Sequence, residues 1–184
     1  MQHPPRTPGA PEKYGVVAQA FHWLTAVLVL IAFSYGPGGN EERVYSHARD
    51  FDRQLHETLG LSVLILSAAR VAWRLFDRQP DPEPVPRWMG VAAKTVQAVL
   101  YLLLFALPLT AITGAWLEGH PVTWLGGEIG PWIASSHALG KQIAELHGWL
   151  GDAILWIAGL HAAAALYHHF FLRDGVLRSM IPGK

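Results

Sequence analysis

Four histidines lie within one apolar stretch of the sequence, LHGWLGDAILWIAGLHAAAALYHH. They are His147, His161, His168 and His169. An ionisable side chain in an apolar membrane segment is costly and therefore marks a candidate functional site. Imidazole can bind a metal, carry a proton or hydrogen-bond within a helix core, so the spacing of the histidines must decide among these roles.

The apolar segments predict an integral membrane protein. Of the 184 residues, 51% are hydrophobic and 15% are charged, which is richer in apolar residues than an ordinary soluble domain. Four segments, roughly residues 16–36, 56–76, 95–117 and 145–171, reach the length of about 20 residues that one helical span needs. We therefore predict an all-α fold with four transmembrane helices in a bundle. The first segment could instead be a signal-peptide core, but its length, His22 and the three later spans favour a retained helix.

Lys and Arg are distributed unequally between the two sides of the predicted bundle. Most of them lie in the N-terminal segment, the second loop and the C-terminal segment, which share one side. The positive-inside rule then places both termini in the cytoplasm. Residues 1–13 read as a disordered tail and residues 14–184 as one helical domain, in which the proline-rich linker DRQPDPEPVPRW joins two helical hairpins.

Composition excludes several classes of site. The chain has no cysteine, which excludes disulfides, thiolate-held iron–sulfur clusters and covalent c-type haem. The formal net charge is zero, and without a basic patch that is interleaved with aromatics no nucleic acid partner is expected. The three methionines lie outside the predicted spans, so they are poor candidates for axial metal ligands.

Depth in the membrane sorts four histidines into two pairs. His56 and His147 open the second and fourth spans at the outer end, whereas His22 and His161 lie at similar depths near the cytoplasmic end. The 14 residues between His147 and His161 make nearly four turns, so both project from one face of the helix, about 21 Å apart. The pattern predicts the pairs His56–His147 and His22–His161.

Two imidazoles that face each other across a bundle suit haem, whose iron takes an axial ligand on each side. Zinc usually needs three or four ligands gathered closely, and neither pair has a third. We therefore predict two bis-histidine haems b, and two haems at different depths indicate electron transfer across the membrane. Small residues flank the histidines: Gly60, Gly148, Gly151 and Gly159. They would let a porphyrin approach the backbone, although small residues also serve ordinary packing of membrane helices.

Haem propionates need cationic or hydrogen-bond-donor partners. At the cytoplasmic end the candidates are Arg70 and Arg74, with Arg173 in addition. At the outer end they are Arg49, Arg53 and Lys141. Simple anchoring of these side chains at the membrane interface is an equally good interpretation.

Four motifs resemble those of a known family: FHW, LHETLG, LYLLLFALPLTAITG and HGWLG followed by GLHAAAALYHHFFLRDGVLRSMIP. Through them the chain resembles the bacterial cytochrome b561 family from about Lys13 to Pro182, and within it most closely the superoxide oxidase type. The resemblance implies a four-helix protein of the bacterial inner membrane with two haems. His22 and His161 would bind the cytoplasmic-side haem, and His56 and His147 would bind the outer haem.

The resemblance also implies an oxidoreductase: superoxide gives an electron to the outer haem, oxygen is released, and ubiquinone is reduced near the cytoplasmic side. By position, His168 is the candidate to line the quinone site and deliver protons, although it could instead be a polar helix-end residue that faces lipid headgroups. Gln97 stands where family members often have a histidine, so any role of that position is in doubt here.

Two other classes of function remain open. The chain could be the electron-conducting membrane subunit of a periplasmic dehydrogenase or hydrogenase, although it has little beyond its four helices and no obligate protein partner is evident. A haem-free transporter or scaffold would leave two depth-matched histidine pairs to chance. A cationic outer entrance would favour capture of the superoxide anion, but acidic residues share that surface with the outer arginines.

Overall fold

The computed structural model describes residues 13–38, 41–77, 80 and 85–182, so all but one residue of the predicted N-terminal tail lies outside it. The elements in chain order are α1 (Val16–Tyr35), α2 (Glu41–Val44), a 3₁₀ turn (His47–Arg49), α3 (Asp50–Phe76), α4 (Arg87–Glu118), β1 (Val122–Trp124), β2 (Gly127–Ile129) and α5 (His137–Tyr167). A π-helical turn (His168–Leu172) and a 3₁₀ turn (Arg178–Met180) follow.

The prediction of four apolar helices is confirmed, because α1, α3, α4 and α5 are each long and apolar enough to cross a membrane. Three of them begin earlier than the apolar segments indicated, at Asp50, Arg87 and His137. Hydropathy marks only the lipid-facing length, whereas the helices continue beyond it. Two features support such extensions: the acidic first turn of α3 and the proline that precedes α4, since carboxylates and proline both suit a helix start.

The connection between α4 and α5 contains a β-hairpin that the sequence did not predict. Strands β1 and β2 pair antiparallel, with Val122 opposite Ile129. The two turn residues, Leu125 and Gly126, have φ angles of 51° and 82°, as a tight two-residue hairpin turn requires. In the segment WIASSHALGKQIAEL, residues 132–136 are not helical and residues 137–146 form the start of α5.

The four long helices associate as two pairs. Helix α1 packs along α3, α4 packs along α5, and the contact between α3 and α4 joins the pairs. A core of Val63, Leu103, Leu104 and Ile154 lies where the pairs meet. The backbone of α5 approaches those of α1 and α3 at few points. We call the region between α5 on one side and α1 and α3 on the other the seam.

The two ends of the bundle are closed differently. At the hairpin end, β1 packs on α3. At the opposite, C-terminal end, the last 3₁₀ turn returns to α1, where the side chains of Gln19 and Trp23 donate hydrogen bonds to the carbonyls of Ser179 and Met180 over 3.1 Å and 2.8 Å. The segment that follows α5 thereby connects the C-terminal end of α5 to α1 across the seam.

The close contact of α4 with α5 depends on Gly140, where an added Cβ would lie 2.7 Å from Glu118 Cγ and 3.1 Å from Glu118 N. We expect Gly140→Ala to destabilise the protein by about 1–3 kcal/mol, the usual cost of overpacking, and to lower the unfolding temperature in detergent. Gly159→Ala is the control, because a Cβ there meets nothing within 4 Å. Equal unfolding temperatures for the two variants would contradict the close approach.

Candidate haem sites

The structure brings the rings of His56 and His147 together at the hairpin end, with ring centres 6.0 Å apart and ring planes perpendicular at 90°. At the C-terminal end the rings of His22 and His161 lie 6.4 Å apart at 72°. Both pairs join α5 to the other helix pair across the seam. The two pairs are those that depth along the helices predicts.

The ring separations fit one metal ion between each pair of imidazoles. A bond from a metal to an imidazole nitrogen is about 2.0–2.1 Å long, and the radius of each ring adds to it, which gives about 6 Å between ring centres. A direct hydrogen bond between the rings is a poorer explanation at the hairpin end, because both Nδ1 atoms there have other partners.

His56 is oriented by the end of α1. Its Nδ1 donates a hydrogen bond to the carbonyl oxygen of Ala32 over 2.7 Å. That oxygen belongs to the last turn of α1, where carbonyls lose their helical partners, and the Gly36 N–H donates to Phe33 O instead. The helix therefore ends where its free carbonyl can hold the histidine.

His147 is held in the same way by α4. Its Nδ1 lies 2.9 Å from Leu107 O and 3.3 Å from the Thr110 hydroxyl. A carbonyl acceptor requires the proton on Nδ1, so Nε2 carries the free lone pair. This is the arrangement by which proteins orient a metal-binding histidine.

The pair at the C-terminal end has aromatic and cationic neighbours. The Trp23 ring lies edge-on to His22, with centres 5.3 Å apart. The half-buried Arg70 lies within electrostatic range of both His22 and His161, and its guanidinium stands over the Tyr101 ring at 5.4 Å. Arg74, one turn further along α3, is exposed. Arg70 is thus the better placed of the two predicted propionate partners.

Open space lies beside His56 and His147 at the hairpin end. A Cβ added to Gly60 or Gly151, each one turn beyond its histidine, would meet no atom within 4 Å. The same holds for Gly148 and Gly159, but these two are exposed on the outside of α5. By contrast, a Cβ on Gly114 would lie 3.4 Å from Ala144 N. Gly60 and Gly151 therefore leave room for a flat group, whereas Gly114 serves helix packing.

Other metal sites fit less well. Within the described residues, no group of three or more His, Asp or Glu side chains is arranged to hold an ion, whereas zinc sites use three or four protein ligands. Ile154, 4% exposed, lies midway between His147 and His161 in the apolar core. This apolar layer lies between the two histidine pairs.

His168 does not join either pair. Its Nδ1 is 2.5 Å from Asp174 Oδ2, within the irregular turn that ends α5, and Asp174 Oδ1 also accepts the Val176 N–H. Asp174 was not among the predicted site residues, although it stands six residues beyond a helix-end histidine in the sequence. Gln97 is exposed on α4.

The outer arginines are paired with acids. Arg49 Nη1 lies 3.0 Å from Asp52 Oδ2. Arg53 contacts Asp50 and Glu57, each at 3.1 Å. These pairs offset the positive charge of the arginines at this surface, where the sequence places acidic residues beside them.

Comparison with known proteins agrees with the geometry. The sequence model of the prokaryotic cytochrome b561 family matches residues 13–183. Cytochrome b561 homolog 2 of Escherichia coli K12 is 30% identical over 93% of this chain and 92% of its own length. Probable superoxide oxidase CybB of Yersinia pestis is 32% identical over 94% and 98%, and cytochrome b562 of Cereibacter sphaeroides is 31% identical over 87% and 89%. The chain therefore belongs to the prokaryotic cytochrome b561 family, whose members bind haem b and transfer electrons in membranes.

Proposed function

We propose that this chain binds two haem b groups, one between His56 and His147 and one between His22 and His161, and passes electrons between them across the bacterial inner membrane. The proposal rests on the pair of neighbouring imidazoles toward each end of the bundle, with ring centres 6.0 Å and 6.4 Å apart. When bound, each haem supplies an iron that takes up and releases one electron.

The surrounding residues determine the ligands, the ring orientation and the charge of each site. With an imidazole on each side, a bound haem would be suited to electron transfer rather than to binding of oxygen. Ala32 and Leu107 hold the outer imidazoles through Nδ1, so Nε2 is presented without reorganisation. Arg70 supplies a positive charge at the inner pair, where a propionate would need one.

We further propose superoxide as the electron donor and ubiquinone as the acceptor. One relative bears the name probable superoxide oxidase. Two superoxide anions would be oxidised to two molecules of oxygen at the hairpin end, and the two electrons, with two protons, would reduce one quinone to quinol at the C-terminal end. His168, hydrogen-bonded to Asp174, is our candidate for the proton-delivering residue of the quinone site.

A second candidate function is the membrane subunit of a periplasmic dehydrogenase or hydrogenase. The ion pairs of Arg49 and Arg53 favour this alternative, because they weaken the positive field that would steer superoxide. The exposed side chains of Leu125 and Trp132 at the hairpin end, 74% and 75% accessible, would suit contact with a protein. Electron transfer between the two histidine pairs is common to both candidates.

The assignment of the outer pair can be tested by haem content. We expect His147→Ala to reduce the purified protein from two haems per chain to one, because the outer site loses an axial ligand. His120→Ala is the control, since His120 lies at the same end but belongs to neither pair, and it should keep both haems. If His147→Ala retains two haems, the pairing is wrong.

The donor and acceptor can be tested together. Purified holoprotein, mixed with a superoxide-generating system and a water-soluble ubiquinone analogue, should accelerate the loss of superoxide and form quinol in a ratio of two to one. Quinol is measured by its absorbance. In protein that carries two reducible haems, unaccelerated loss of superoxide would refute superoxide as the donor and leave the partner-subunit alternative, whereas absence of quinol would refute quinone as the acceptor.

The role of His168 can be separated from haem binding. We expect His168→Gln to slow quinone reduction about tenfold or more, because a positioned acid typically accelerates proton transfer by 10²–10⁴. Haem reduction by superoxide, followed in a stopped-flow instrument without quinone, should keep its rate. Unchanged quinone reduction would show that His168 only faces the lipid headgroups.

A further inference from the structure

A largely buried charge pair adjoins His56 in α3 and is not used by the proposed electron transfer. Glu57 follows His56 directly in α3. The side chains of Glu57 and Arg53 are 11% and 13% exposed. Arg53 Nη1 donates hydrogen bonds to both carboxylate oxygens of Glu57, over 3.1 Å and 3.2 Å. Charges at this burial are retained only where they are well paired, so the pair needs an explanation.

Glu57 also holds the β-hairpin. Its Oε2 accepts a hydrogen bond of 2.7 Å from the backbone N–H of Thr123 in β1. The hydroxyl of the next residue, Thr58, accepts a bond of 3.3 Å from Leu125 N. Val122 and Thr123 are buried, at 4% and 6% exposure. Two consecutive side chains of α3 thus fix the hairpin next to His56.

Contacts of Arg53 extend this hydrogen-bond network to the loop between α1 and α3 and to the segment after α4. The Arg53 guanidinium stands over the Tyr45 ring at 5.2 Å, and Tyr45 stacks on His120 with ring centres 3.5 Å apart. His120 Nε2 lies 2.9 Å from Glu41 Oε1. Burial, with the nearby Glu57 and Glu118 carboxylates, raises the pKa of Tyr45 above its usual range, so the phenol stays neutral. Glu57 is the member of this network closest in sequence to a predicted haem ligand.

We propose that Glu57 is a positioning residue for the outer histidine site: its carboxylate locks the β-hairpin onto α3 beside His56, and its negative charge lowers the reduction potential of the haem held there. The inference rests on the proposed binding of a haem between His56 and His147. The physical reason is that a buried negative charge favours the more positive, oxidised state of a nearby iron, since charges interact strongly at low dielectric. The Thr123 N–H donates a hydrogen bond to the same carboxylate, whose side chain is only 11% exposed.

The charge is tested by potentiometric titration of the purified holoprotein. Glu57→Gln keeps the shape of the side chain and an oxygen for Thr123 but removes the charge, so we expect the midpoint potential of one haem to rise and that of the other to stay unchanged. The haem that shifts should be the one lost in His147→Ala. Glu57→Asp, which keeps the charge, should restore a potential close to that of the wild type.

The hairpin lock is tested by amide hydrogen exchange of the same holoprotein. We expect Glu57→Ala to accelerate exchange in residues 122–125, because Thr123 N–H loses its acceptor. Glu128→Gln is the matched control: this carboxylate lies opposite Thr123 in the strand pairing and is exposed, so it should change neither the exchange nor either potential.

The outcomes separate the inference from the function on which it rests. Equal shifts of both potentials, or none in Glu57→Gln, would refute the role of the charge, and unchanged exchange in Glu57→Ala would refute the lock. Wild-type protein that binds no haem between His56 and His147 would refute the two-haem function itself. The exchange experiment does not depend on haem and would still decide whether Glu57 holds the hairpin.

Discussion

A histidine inside an apolar bundle must find a partner for each ring nitrogen, because an unsatisfied polar group in such surroundings costs several kcal/mol. At the hairpin end the backbone satisfies one nitrogen of each ring: Ala32 O accepts from His56, and Leu107 O accepts from His147. The second nitrogen of each ring then faces the space between the helices. The end point of α1 and the position of α4 follow from this requirement, since each must bring a carbonyl to an imidazole.

The same requirement explains the seam, across which the histidines of α5 meet those of α1 and α3. Most helix bundles bury their apolar faces against one another along their whole length. Here α5 packs closely on α4 but approaches α1 and α3 at few points, and its histidines reach across. The core cluster around Ile154 joins the two helix pairs at mid-depth. The fold therefore consists of two helix pairs whose shared apolar core lies at mid-depth, with one histidine pair toward each end of the bundle.

Much of this arrangement could be predicted from the sequence, because helical geometry is regular. The spacing of His147 and His161 put both rings on one face of α5, and the apolar segments located all four long helices. The helix starts were less accessible: hydropathy reports contact with lipid, whereas Asp50 and His137 begin helices outside it. The β-hairpin was missed because its turn, Leu125–Gly126, lacks the Asn-Gly or Asp-Gly signal of such turns.

Partners of the site residues were the least predictable part. Every residue has a carbonyl, so nothing in the sequence singles out those of Ala32 and Leu107 as histidine acceptors. The pairing of Arg53 with Glu57 follows helical spacing and was readable, but the bond from Glu57 to Thr123 joins segments 66 residues apart. Arg70 and Arg74 looked equivalent in sequence, and only the tertiary structure distinguishes the half-buried side chain from the exposed one.

The spacing of the two histidine pairs along α5 also sets the electrical work of moving an electron between them. The 14 residues from His147 to His161 cover about 21 Å of helix, which is roughly two thirds of a hydrocarbon layer of about 30 Å. An electron that moves inward over this distance travels against a membrane potential that is negative inside. At about 2.3 kcal/mol per charge for each 100 mV across the full membrane, the transfer costs about 1.5 kcal/mol per 100 mV. The proposed reaction is therefore electrogenic, and an energised membrane opposes it.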